Sequence, residues 1–192
     1  MLFRALIVLA QLAAGSQAFA TSGYAHGTDH CYYFDAPRGW TMDNKSGAQD
    51  GVPMVFYPTG TTWKSAPVAI YTRPISSSRD RADSGRIAEQ VNQVIQMYRK
   101  GSEDVKAARM REVRSKSGAQ GELWQYTGYS NGGAELVVYF PAPTTVNFFA
   151  MQVPQAGNVG QFLPVLVELA DSYRPASECK PCSGSSACTG AN

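Results

Sequence analysis

Past its first twenty residues this chain has no long apolar run. Nothing after Ala20 approaches the ~20 consecutive apolar residues of a membrane-spanning helix, so no membrane span is expected there. Charge is also sparse. Charged residues make up 17% of the 192 positions, and 17 basic against 15 acidic residues leave a net charge of +2. A surface so lightly and evenly charged carries no basic field to hold nucleic acid. Histidine is limited to two residues, His26 and His30, both near the N-terminus. The chain holds no G-x-S-x-G elbow, no G-x-G-x-x-G fingerprint and no phosphate loop. No set of nucleophile, base and orienting group can be assembled from it, so no enzymatic activity and no cofactor are expected, the remaining alternative being a secreted enzyme whose site the sequence does not disclose. There is no internal repeat and no low-complexity segment.

What is present begins at the N-terminus. Arg4 supplies a single positive charge, residues 5–14 form a short apolar stretch, and Ala18-Phe19-Ala20 ends it with a small-x-small site. These are the three parts of a secretory signal peptide. The expectation is cleavage near Ala20 and a soluble product in the periplasm or the extracellular medium. The remainder is long enough to bury ~70% of its unfolded surface, and so to build one core.

Residues 21–30 are polar and glycine-containing, and read as a flexible N-terminal arm. A single domain is expected over 31–175. Tyr32-Tyr33-Phe34, Trp40-Thr41-Met42, Met54-Val55-Phe56-Tyr57 and Val68 to Thr72 are short strands punctuated by Pro and Gly. Ile87, Val91, Val94, Ile95 and Tyr98 recur at the 3.6-residue period and predict a helix over 84–100. Asp83 or Ser84 is its expected cap, and Gly101 its expected left-handed end. Residues 108–115, 122–129, 135–140 and 146–153 read as strands. Asn131-Gly132-Gly133 is a hairpin turn between the middle two, so the last three form an antiparallel meander. Phe162, Leu166, Leu169, Ala170 and Tyr173 repeat the helical period, with Asn158 as cap. Residues 176–192 are small, polar and cysteine-bearing, an irregular tail. The order strands, helix, strands, helix predicts an α+β domain whose antiparallel sheet is covered by two amphipathic helices.

The segment Tyr33-Phe34-Asp35-Ala36-Pro37-Arg38-Gly39-Trp40, the mid-chain helix, the meander and the closing helix together resemble the PsbP-like fold group over about residues 32–174. The Phe-x-x-Pro-x-Gly-Trp opening also resembles that of small exported bacterial proteins. The resemblance implies a PsbP-like sandwich and a non-catalytic role in binding or assembling partners, with metal binding in some members. It does not account for the cysteine tail.

Four cysteines, Cys31, Cys179, Cys182 and Cys188, suit two disulfides in an exported chain. The expected pairing joins Cys31 to Cys179 or Cys182 and closes a small loop with the rest. A competing use is a zinc-type site from His26, His30, Cys179 and Cys182, because imidazole and thiolate suit that ion. A candidate surface for an unknown protein or small-ligand partner lies around the long connection between two strands, at Tyr57, Trp63, Lys64 and Tyr71. Tryptophan there can anchor a ligand, or it can fold back over the end of the core.

Overall fold

The computed structural model describes residues 21–27, 30–73, 83–143, 145–179 and 187–189. The first twenty residues, Cys182 and the side chain of Cys188 lie outside that description. Strands dominate: β1 (Ser22–His26), β2 (Cys31–Asp35), β3 (Trp40–Asp43), β4 (Met54–Pro58), β5 (Ala69–Thr72), β6 (Lys106–Arg114), β7 (Gln120–Thr127), β8 (Ala134–Pro141), β9 (Val146–Val153), β10 (Arg174–Pro175) and β11 (Ala187–Thr189). Two α-helices accompany them, α1 (Asp83–Tyr98) and α2 (Val159–Asp171).

The large sheet has seven strands in the order β3-β4-β5-β9-β8-β7-β6, with every neighbouring pair antiparallel. Its right half is the expected meander, extended by β6. The turn from β7 to β8 holds Gly132 at φ 73°, a left-handed conformation that costs glycine little, and the Asn131 side chain accepts a hydrogen bond from Gly133 N at 2.9 Å. After β5 the chain passes through α1 to the far edge. The meander then returns until β9 closes against β5, pairing Ile70 with Met151.

Alternation along the strands divides the side chains between two cores. On one face Leu136, Val138, Phe140, Phe149 and Met151 meet Leu166, Leu169 and Ala170 of α2. On the other, Val137, Tyr139, Phe148 and Ala150 meet Ile87 and Val91 of α1. Each helix therefore buries the stripe that its period marked out.

The helices do not cover the sheet alone. A second sheet, in the order β10-β2-β1-β11, shares the α2 face and contributes Ala25, Tyr32 and Phe34 to that core. This corrects three expectations. Residues 22–26 are a strand paired along its length with β2, not a flexible arm. The tail returns at 187–189 to pair with β1. The folded unit starts before residue 31, since Ala25 is fully buried. The glycine that made the arm look loose is what lets it dock: a Cβ on Gly23 would collide with the Phe34 ring and the Met42 sulfur. Gly101 is a smaller correction. It is not in a left-handed conformation, and α1 ends with both Gly101 N and Ser102 N donating to the Tyr98 carbonyl at 3.0 Å. Asn158 does stand at the N-cap of α2, but its side chain makes no capping bond.

Two devices fasten the small sheet. Cys31 at the start of β2 is disulfide-bonded to Cys179, with Cα atoms 5.5 Å apart across 148 residues of sequence. Arg174 donates to both Asp35 oxygens, at 2.8 and 3.0 Å, while Ser22 donates to Asp35 Oδ1 at 2.7 Å, so β10, β2 and β1 converge on one carboxylate.

Candidate functional site

Strand β8 alternates strictly. Ala134, Leu136, Val138 and Phe140 face α2, and Val137 and Tyr139 face α1. Glu135 falls in the second set. A carboxylate thus sits where the pattern calls for an apolar side chain, and it is 4% exposed. Three elements close over it. Tyr98, at the end of α1, donates to Oε1 at 2.9 Å. Tyr71, on β5, donates to Oε2 at 3.2 Å. Gln152 lies directly across the ladder on β9, and its side chain adds a third favourable interaction.

Burial pushes the Glu135 carboxyl up to about 7, and the hydrogen bonds from Tyr98, Tyr71 and Gln152 only partly oppose that shift. Among the described residues no cation helps set its charge, although Arg73 lines the smaller recess beside it and acts on Tyr71. The phenols around it respond in the opposite sense. Burial first, and then the Glu135 charge, raise Tyr71, Tyr98 and Tyr129 far above the usual tyrosine range, so they remain neutral. The rings interlock edge to face: Tyr98 meets Tyr129 at 5.3 Å and Tyr126 at 6.0 Å. The Tyr129 hydroxyl is buried without a partner of hydrogen-bonding geometry.

Above this carboxylate opens a cleft of about 460 Å³. Its outer wall is the connection between β4 and β5, with Trp63, Lys64, Pro67 and Val68. Its inner wall is Tyr98 and Tyr129, and Glu135 and Gln152 form part of its lining. Trp63 is half-buried, and its indole N–H donates to Asp50 at 2.7 Å, which fixes the ring in the cleft lining. A smaller recess of about 40 Å³ reaches Glu135 from the other side, between Tyr71 and α1.

The structure brings together three of the four sequence candidates for a partner surface. Trp63 and Lys64 line the cleft, and Tyr71 holds the carboxylate beneath it. Tyr57 stands apart on β4, where its hydroxyl donates to Asp43 at 2.8 Å. Burial works against the Asp43 charge, but hydrogen bonds from Ser46, from the Lys45 and Ser46 backbone and from Tyr57 outweigh it and hold its pKa at about 2. Glu135 escaped sequence reasoning. The signal was a lone acid in register with Val137 and Tyr139, in a strand with both faces apolar.

The zinc-type set is not assembled. Cys179 is in a disulfide and offers no thiolate, while Cys182 lies outside the described residues. His26 stacks on Tyr24 at the end of β1, an inner strand of the small sheet, and His30 is buried in the β1–β2 turn. Among the described residues no group of three or more His, Cys, Asp and Glu converges on a common point.

The fold is similar to that of cyanobacterial PsbP (CyanoP) from Synechocystis sp. PCC 6803, seen in its solution structure. The superposition has a TM-score of 0.53 at 15% identity, covering 84% of this chain and 96% of that one. The chain therefore has a PsbP-like fold, and identity this low speaks to architecture alone. It matches no protein-family model and no curated protein.

Proposed function

We propose that this chain is an exported, non-catalytic binding or accessory protein of the bacterial cell envelope, and that it takes its ligand in the cleft beneath Trp63. The observation that carries this reading is the cleft itself. It is concave, walled by aromatic and aliphatic side chains, and it ends on a buried carboxylate that no cation among the described residues pairs with. Export is supported by the signal-peptide pattern of residues 1–20 and by the Cys31–Cys179 disulfide, which suits an oxidising compartment. The PsbP-like fold is compatible with an accessory role. A non-catalytic role is favoured by the chemistry around Glu135. The hydroxyls it holds are phenols kept neutral, and the two histidines belong to the small sheet on the opposite side of the large one.

Two experiments test the reading. Expressed with residues 1–20 in a bacterial host, the protein should be recovered from the periplasm beginning at Thr21. Cytoplasmic retention with an intact N-terminus would remove the export half. Screened against small fragments by two-dimensional NMR, the oxidised protein should give hits that move the Trp63 indole and Tyr98 signals. Trp63→Ala should abolish those hits while changing stability by less than about 1 kcal/mol. Hits that gather elsewhere would move the site.

A further inference from the structure

The geometry points to a ligand class for the cleft, resting on the reading above: a primary ammonium group on a slim aliphatic stem, inserted with its head against Glu135. A carboxylate carried into the interior of a protein is costly unless it is paired or protonated. Here three neutral donors surround it, and among the described residues no cation pairs with it: Arg73 lines the smaller recess beside it but acts on Tyr71. The two oxygens of Glu135 still have lone pairs beyond the single bonds from Tyr71 and Tyr98, so the site can accept more donors. An ammonium brings three donors and the missing charge.

The walls suit such a head and its stem. Trp63, Tyr98 and Tyr129 give the cleft three aromatic rings, and a cation over an aromatic face is attracted by the ring quadrupole. Pro67, Val68 and Pro154 offer apolar surface for methylenes. A volume of about 460 Å³ lies within the range of small-molecule sites, whereas a flat protein surface would need no such depth. Lys64 belongs to the cleft lining but is exposed, where water and salt screen its charge.

The test compares probes of one length and different heads. Hexylamine, 1-hexanol and hexanoate are titrated into the oxidised protein, with the Trp63 indole and Tyr98 signals followed by NMR. Hexylamine should bind and move both signals, and the alcohol and the acid should bind at least about tenfold more weakly. Glu135→Gln, nearly isosteric, keeps one acceptor oxygen for a phenol and offers an NH2 donor to the other phenol oxygen, and it should weaken hexylamine by a similar factor. Hexanol binding as tightly as hexylamine would overturn the ammonium assignment and leave the cleft as a site for apolar stems. Hexanoate binding best would reverse the charge assignment. If no probe moves Trp63 or Tyr98 while other fragments do, the ammonium class is wrong and the cleft reading stands. The alcohol and acid comparisons need no variant, so they remain decisive if Glu135→Gln fails to fold. A short lysine peptide added to the series locates the source. Tighter binding than hexylamine places the ammonium on a partner protein, and weaker binding makes it a free amine; both keep the ammonium.

Discussion

On the face of the large sheet turned toward α2, buried hydroxyls and an amide N–H find partners, although Asn147 Oδ1 has no hydrogen-bond partner. Tyr32 and Thr72 share a hydroxyl bond of 2.6 Å, Asn147 donates to the Tyr173 hydroxyl at 2.9 Å, and that ring stacks on Phe140 at 4.1 Å. The acid at its margin, Asp35, has Arg174 beside it. On the face turned toward α1, Glu135 is more deeply buried, and the described residues that hold it are phenols and an amide. The contrast separates a polar group that serves folding from one that folding merely tolerates. The Arg174 guanidinium holds Asp35 below the usual carboxylate range, whereas burial holds Glu135 well above it. A carboxylate kept without a counter-charge in a lined cleft is the more informative of the two, because stability does not explain it.

The largest effect expected from breaking this contrast lies on the small-sheet side. Reducing the Cys31–Cys179 bond, or replacing Cys31 with Ala, frees a 148-residue loop and should lower stability by up to ~5 kcal/mol in the chain-entropy account. Denaturant unfolding with and without reductant reads this directly. A loss below about 1 kcal/mol would mean that β1, β2 and β10 hold by packing and hydrogen bonds alone.

Next comes Glu135. Its folded pKa of about 7 exceeds the ordinary 4.5, so the folded state binds the proton more tightly. Stability is then full below pH 4.5 and falls as pH rises through 7, by about 3 kcal/mol in all. Glu135→Gln removes that slope. The variant should match the parent near pH 4 and exceed it by up to about 3 kcal/mol near pH 8. Thermal unfolding across that range tests the sign, and a variant less stable than the parent at pH 8 would show that the charge is compensated.

The smallest effect is at Asp35, whose shift has the opposite sign. The pair with Arg174 contributes above the unfolded carboxylate pKa and is lost as pH falls through the lowered folded value. Both partners are substantially exposed, at 42% and 30% of their side chains, so Arg174→Ala should cost only ~1 kcal/mol near neutrality and nothing in acid. A pH-independent loss would assign the effect to the packing of the Arg174 stem instead.

The large sheet and both helices were legible because their evidence is local. The period of Ile87, Val91 and Tyr98 survives into buried contacts with Tyr126 and Val137, and Asn131-Gly132-Gly133 sets the β7–β8 register without help from afar. Of the small sheet only β2, as Tyr32-Tyr33-Phe34, was legible as a strand. Ser22 to His26 carries glycine, serine and histidine, and reads as loop until Phe34 and Met42 close on Gly23. Its partner β11 comes from the other end of the chain, with Tyr24 opposite Cys188. The candidate site was half legible. Trp63, Lys64 and Tyr71 stood out as aromatic and basic residues around a long connection. Glu135 was placed only as the first residue of a strand over 135–140.

By itself the sequence determined the periodicities, the turn chemistry and the α+β class, because each depends on residues within a few positions of one another. Only the tertiary structure decided that the first strand belongs to a second sheet, that Cys31 takes Cys179, and that Glu135 is buried. Those outcomes depend on which distant surfaces meet. The charge state of a carboxylate follows from what covers it, and here α1, β5 and β9 supply the cover.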